Sequence, residues 1–356
     1  MKSKIYTLFV ILLLFIDLAG ANPAITSKQD QILKNHWPEN IANRLIESRK
    51  DLFYKGTGGT ENYLPVYNFS SAPIKKVLII ITGLEDPTPH WNDTVEKAHK
   101  AGFSHVAIIE LRGQGFSEYT NQEKIIHVNS FDEYYSDLIS GFKALDSEIS
   151  LNSQTYLISH STGSLVLGNS LDKIMNQFPN VKIKAQALWS PLIVLNVSPK
   201  LNNFIVRPLL SFVSWAHNMC CGPFLGKKFH YSQFENNVLT HDLNKFKLIH
   251  QIYKDYDLRS NGVSLKWALE AIKASDLYRD KFINTVKVPT LLIKAEKEKV
   301  VINDFKYSND LITETTIPNA YHALHMEIDQ ILNLITKQTF DFFNQYNGSD
   351  AKNSSQ

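Results

Sequence analysis

Cysteine is nearly absent from this chain. There are two in 356 residues, Cys220 and Cys221, and they are neighbours. That excludes the disulfide framework that staples small secreted domains, so the fold must rest on its apolar core. The pair reads as two small apolar fillers in a hydrophobic segment, with a strained vicinal disulfide as the alternative. No CxxC and no HExxH occurs, so no metal or other cofactor is expected. An excess of one charge is missing as well: 37 Lys and Arg stand against 35 Asp and Glu. With no basic stripe and no acidic tail, nothing points to a nucleic-acid partner. Nor is there a long hydrophobic run. The longest, Ile5 to Ile16, falls short of a comfortable membrane span.

That short run has a different use. Lys2 and Lys4 precede it, and Ala19-Gly20-Ala21 supplies small residues at cleavage positions. Residues 1–21 therefore read as a secretory signal peptide, with a mature chain from about Asn22 that is exported to the periplasm or secreted. The alternative is an uncleaved membrane anchor. No cysteine follows the cleavage site, which argues against a lipid-anchored lipoprotein.

Downstream, residues 22 to about 50 carry an amphipathic helical pattern. "DLFYKGTGGTENYLPVYNF" is two β-like runs around a Gly-rich turn, hence a hairpin. "KKVLIIITG" has the unbroken β-branched texture of a strand buried on both faces. Strands at "SHVAIIEL", "TYLIS" and "KIKAQALW" then alternate with helices over 129–149 and 162–178. This alternation predicts an α/β fold with a mainly parallel sheet between helical layers. Between about 191 and 285 the rhythm breaks into an apolar, Phe- and Trp-rich segment interrupted by prolines, read as an inserted helical cap. It resumes at "VPTLLIKA" and "ETTIP" and closes with a helix over about 323–344. The domain thus runs from 22 to 345, and 346–356 reads as a polar, disordered tail.

The chemistry centres on "TYLISHSTGSLVLG", a strand that turns tightly and leaves as a helix. Ser161 is either a cap on an ordinary helix or a nucleophile on a strained elbow, its hydroxyl raised above the sheet. The flanking positions Ser159 and Gly163 face each other closely and must be small; Ser159 departs from the usual glycine. Acyl transfer needs backbone N–H donors for the developing oxyanion. Thr162, next after the serine, is one. Leu84, after Gly83 in "ITGLED", is the other, although Gly83 also reads as a plain turn glycine. A base must follow the last strand, where His322 and His325 stand. His322 lies in the loop after Pro318, whereas His325, about a turn further on, is placed to pack or cap. The acid orienting that base is one of Glu296, Glu298 and Asp304, and spacing alone leaves the three open.

With serine, acid and histidine in that order, the sequence resembles the bacterial lysophospholipases of the monoglyceride-lipase group, within the α/β-hydrolase superfamily. The resemblance rests on "ITGLEDPTPHW", "ELRGQGFSEYT", "HVNSFDEYYSDL", "SHSTGS", "LTHD", "NGVSLKWALEAIKAS", "VPTLLIKAEKEKVV" and "NAYHALHMEID". It implies Ser161 as nucleophile, His322 as base, Glu298 as acid, and Leu84 and Thr162 as oxyanion donors. Thr82 stands where many such proteins have His, and Glu298 where the commoner acid is Asp. The Arg112-Gly113-Gln114-Gly115 loop is given no catalytic role.

The resemblance implies hydrolysis of a single-chain acyl lipid: a lysophospholipid first, a monoacylglycerol or simple carboxylic ester as the alternative. The apolar cap suits an acyl chain and peripheral contact with a membrane. Two other classes stay open, a non-catalytic lipid-binding protein and a peptidase on the same fold.

Overall fold

The computed structural model describes residues 22–70, 76–149, 151, 154–196, 206–221, 226–228, 233–302 and 309–347. Residues 1–21, read above as a leader, Asp304, and 348–356 of the segment read as a tail lie outside the described residues, as do the side chains of Cys220 and Cys221.

The amino-terminal helical stretch is two helices, α1 (Pro23–His36) and α2 (Glu39–Ser48), because Pro38 cannot continue the first. The hairpin follows as β1 (Arg49–Lys55) and β2 (Glu61–Asn68). Then come β3 (Lys76–Ile81), α3 (Asn92–Lys100), β4 (His105–Ile109), α4 (Asp132–Ile149), β5 (Gln154–His160), α5 (Thr162–Gln177) and β6 (Ile183–Trp189). After Trp189 the chain leaves the sheet and forms α6 (Val206–Cys221), α7 (Leu243–Tyr256) and α8 (Leu265–Thr285). It returns as β7 (Thr290–Ala295) and β8 (Ile312–Ile317) and ends in α9 (Asp329–Asn344).

The eight strands of the large sheet lie in the order β1-β2-β4-β3-β5-β6-β7-β8. The β1–β2 and β2–β4 pairs are antiparallel, and the others are parallel. Alternation along β3 feeds both faces of the sheet, since successive side chains point to opposite sides. Val77, Ile79 and Ile81 join the core with residues of α4 and α5, such as Phe142 and Leu165. Leu78 and Ile80 join Trp91, Trp189 and Phe343 on the other side. Parallel strands buried in this way have their carboxyl ends at one edge, where the site is assembled.

The last part of the segment read as a cap, α8, packs against the main core. Trp267, Ala271, Ala274 and Tyr278 on α8 are buried in the core cluster shared with α5, since their i, i+4, i+7, i+11 spacing makes one helical stripe. A Cβ at Gly168 of α5 would stand 2.1 Å from the Tyr278 ring, so glycine there lets the two helices touch. The last helix begins at Asp329 rather than near 323; Leu324–Met326 form a separate 3-10 turn.

Candidate active site

Ser161 follows the end of β5 with φ 48° and ψ −117°, a conformation that L-residues rarely hold. The elbow survives because its surroundings fix it. The Ser161 N–H donates to Trp189 O of the neighbouring strand, and Ser161 O accepts from Leu192 N–H. Gly163 is obligatory: a Cβ there would sit 2.4 Å from Thr82 O and 2.6 Å from Ile81 O, both backbone. Ser159 occupies the other small position, and its hydroxyl lies 3.0 Å from that of Ser164.

The imidazole comes from the far end of the chain. His322 Nε2 is 2.9 Å from Ser161 Oγ, and His322 Nδ1 is 2.8 Å from Glu298 Oε2. All three side chains are buried. The other Glu298 oxygen accepts from the amides of Val300 and Val301 at 2.7 and 3.2 Å, which aims the carboxylate. Burial opposes the ionisation of Glu298. The His322 hydrogen bond and charge and the two amides outweigh it and hold the carboxyl below its ordinary value. Burial also lowers the His322 pKa, although Glu298 pulls it upward. The ring is thus kept neutral and able to accept a proton. Glu296 is elsewhere, accepting from the Asn319 amide at 2.7 Å.

Thr162 and Leu84 line the same pocket as Ser161 and His322. In the turn before α3, Gly83 N–H donates to Asp86 Oδ2 at 3.0 Å and Glu85 N–H to Gln114 Oε1 at 2.9 Å. Between them, the Leu84 amide takes no partner among the described residues. Gly83 serves close approach rather than an unusual turn, for a Cβ would meet His160 Nδ1 at 2.7 Å.

Two supporting groups were not legible as such in the sequence. Gln114 Nε2 also donates to Gly83 O at 2.6 Å, so the loop that was given no role clamps both sides of the Leu84 turn. Asp86, fully buried, gathers three imidazoles: His90 Nδ1 and His160 Nδ1 at 3.1 Å each and His325 Nε2 at 2.9 Å. His160 in turn reaches the His322 carbonyl at 3.3 Å through Nε2. One carboxylate therefore ties the Leu84 turn, the residue before Ser161 and the His322 loop together. Burial disfavours its charge, but the neighbouring histidines, His325 first, hold its pKa well below the ordinary value. Burial pushes His325 down to about 4, and its ring stacks on Trp91 at 4.2 Å. Asp86, His160 and His325 are also the one group among the described residues whose potential metal-ligand atoms lie within 4.8 Å of each other. The Gly83 amide, His90 and His160 hydrogen-bond to Asp86 and His325 Nε2 stands 2.9 Å from it, so the carboxylate is the centre of a polar hub. The only sequence signal was the number of histidines near the motifs.

The pocket above Ser161 has a volume of about 350 Å³. Leu192, Leu195, Phe246, Ile249, Trp267 and Val300 supply apolar walls. A larger hollow of about 730 Å³, near His36, Lys97 and Lys337, contains none of the residues around Ser161.

Comparison with known proteins bears on the family and the fold. The family model described as serine aminopeptidase, S33, matches residues 72–329. Lysophospholipase L2 of Escherichia coli (strain K12) is 25% identical over 298 residues, covering 79% of this chain and 84% of its own. The probable lysophospholipase L2 of Haemophilus influenzae is 23% identical over 279 residues, covering 76% and 84%. Among solved structures, a soluble variant of monoglyceride lipase from Saccharomyces cerevisiae matches with TM-score 0.63 and 14% identity, over 83% of this chain and 95% of its own. A thermostable carboxyl esterase from Bacillus coagulans matches with TM-score 0.63 and 12% identity, over 84% and 99%. These two share the fold.

Proposed function

Because this chain belongs to the serine aminopeptidase (S33) family, we propose that it is a serine hydrolase acting on the carboxylic ester of a single-chain acyl lipid, a lysophospholipid before a monoacylglycerol. The observation that carries this is the connected series Glu298–His322–Ser161, at 2.8 and 2.9 Å, with the serine on a strained elbow. As Ser161 Oγ attacks the ester carbonyl, His322 Nε2 takes its proton, and Glu298 holds the Nδ1–H tautomer and favours the imidazolium that forms. The Leu84 and Thr162 amides receive the oxyanion, each worth about 100-fold or more in rate. His322 returns the proton to the departing alcohol, and water then cleaves the acyl-enzyme by the same route.

The apolar pocket walls suit an acyl chain. The lysophospholipase names of the relatives from E. coli and H. influenzae support the lipid class. The family's description favours a second reading, a peptidase that holds a substrate ammonium.

A fluorophosphonate probe tests the mechanism, and product release from lysophosphatidylcholine, monoacylglycerol and an aminoacyl amide tests the substrate. Labelling lost in Ser161→Ala with fatty-acid release supports the proposal. A folded wild type that takes no label is a binding protein, and cleavage of the amide alone makes it a peptidase.

We further propose export through the leader at 1–21 and peripheral membrane contact through the cap, where Phe212 and Val213 of α6 are exposed. Among the described residues no helix is long and apolar enough to cross a membrane. The amino-terminal residue of protein recovered from the cell envelope, and its binding to lipid vesicles, check the two statements.

A further inference from the structure

Of the residues that line the pocket, one carries a fixed positive charge: Arg259, the only Lys or Arg among the described lining residues. The loop after α7, which carries Arg259, docks against the Leu84 turn.

That loop is held at both ends. Asp257 adopts the left-handed conformation that ends α7 and pairs with Lys124. Leu258 N–H returns to Tyr253 O, and its own carbonyl accepts from Tyr119. On the other side of Arg259, Ser260 N–H donates to the Glu85 carboxylate at 3.2 Å, and Asn261 N–H donates to Lys124 O at 2.8 Å. Gly262 then pairs with Ile125 as a short parallel strand. The guanidinium carbon stands 5.9 Å from the centre of the Tyr253 ring. The Tyr253 hydroxyl in turn donates to Glu85 O, one residue from the Leu84 oxyanion amide, at 2.5 Å. The cation is therefore placed beside the oxyanion turn by a scaffold, on the polar side of an otherwise apolar pocket.

Resting on the lipid-esterase reading above, we propose that Arg259 is the specificity-determining residue of a phosphate subsite, which takes the glycerophosphate end of a lysophospholipid while the acyl ester lies over Ser161. A guanidinium stays charged at any working pH and offers a planar fork that matches two phosphate oxygens. A neutral glycerol headgroup offers the fork no anionic oxygens, so it gains less from the same contact. The neighbouring Glu85 offsets the charge only in part: burial pushes its pKa up to about 7, against the opposing pull of Ser260 and Arg259.

The test compares a lysophosphatidic acid with the monoacylglycerol of the same chain, using wild type, Arg259→Gln and Arg259→Lys. The expected result is that the wild type prefers the phosphate-bearing lipid. Arg259→Gln lowers the ratio of kcat/KM between the two lipids by about tenfold to a hundredfold, chiefly through KM, the range expected for one charge-assisted contact. Arg259→Lys, which keeps the charge and loses the fork, falls between them. Fluorophosphonate labelling of Ser161 verifies that each variant is folded. An unchanged ratio in Arg259→Gln, with both lipids hydrolysed, overturns the subsite and leaves the esterase reading standing; failure of wild type to cleave either lipid overturns the esterase reading itself. Inorganic phosphate added to the monoacylglycerol assay separates the sources of the group. Inhibition lost in Arg259→Gln means that free phosphate also enters, and no inhibition with the ratio defect intact assigns the subsite to the lipid-borne phosphate.

Discussion

His322 Nε2 lies 2.9 Å from Ser161 Oγ, although 161 residues separate the two in the chain. Neither side chain reaches the other by local structure. The Ser161 elbow hangs from the middle of the sheet, and the His322 loop follows its edge strand β8. Removing the hydroxyl is therefore expected to lower ester hydrolysis by about four orders of magnitude or more and to abolish fluorophosphonate labelling. Ser161→Ala with an unaltered thermal melt but full activity would sink the assignment.

Glu298 has two tasks, and its variants separate them. Glu298→Gln keeps an oxygen for the Val300 and Val301 amides but no longer holds the required tautomer of His322. Its kcat is expected to fall about 10³- to 10⁴-fold with little change in melting temperature. Glu298→Ala also orphans the two amides, and is expected to cost about 1–3 kcal/mol of stability in denaturant titrations.

The acid limb of activity follows from the depressed His322 pKa. Only the neutral ring accepts the serine proton, so kcat/KM is expected to hold as the pH drops past the ordinary imidazole value of 6.5 and to decline only below it. A decline centred above 6.5, measured with a substrate that does not itself titrate, would contradict this.

Stability has a related dependence. His325 titrates at about 4 when folded and near 6.5 when unfolded, so between those values the unfolded chain binds the extra proton. Its contribution is complete above 6.5, is lost progressively as the pH falls towards 4, and changes no further below that. Thermal melts across this window should show a slope that becomes shallower in His325→Gln.

Asp86 takes no proton and receives no oxyanion in the mechanism above, yet it joins the three segments that do. Asp86→Asn is expected to lower kcat by about 100-fold through misplacement of those segments, and to slow fluorophosphonate labelling in parallel while binding of a substrate analogue changes less. Equal labelling rates in the two proteins would reduce Asp86 to a packing residue.

Gly163→Ala tests the elbow from the other side. Its Cβ would have to enter the space of Thr82 O and Ile81 O, so either β3 or α5 must move. A loss of about 1–3 kcal/mol in stability is expected, with a loss of activity larger than that change in folding explains.

Much of this arrangement was open to inspection before any fold was known. The β-branched run at 76–81 carried the signature of a doubly buried strand. The strand–turn–helix around Ser161 demanded small neighbours, and those neighbours are Ser159 and Gly163. The order serine, acid, histidine narrowed the base to one loop. Such features are legible because they are local: they depend on side-chain periodicity, on steric room at a turn, and on the number of residues between turns.

What the sequence determined by itself, then, was the alternation of strands and helices and the chemical types available at each loop. Spacing left the acid open and the resemblance put it at Glu298; the tertiary structure supplies the reason, because Glu296 and Glu298 differ by two residues but only Glu298 turns its carboxylate to the His322 ring. It alone showed Gln114 and Asp86 holding the Leu84 turn, α8 lying against α5, and Arg259 entering the pocket. These are contacts between segments far apart in the chain. Their distances are set by sheet order and helix packing, and no local spacing encodes them.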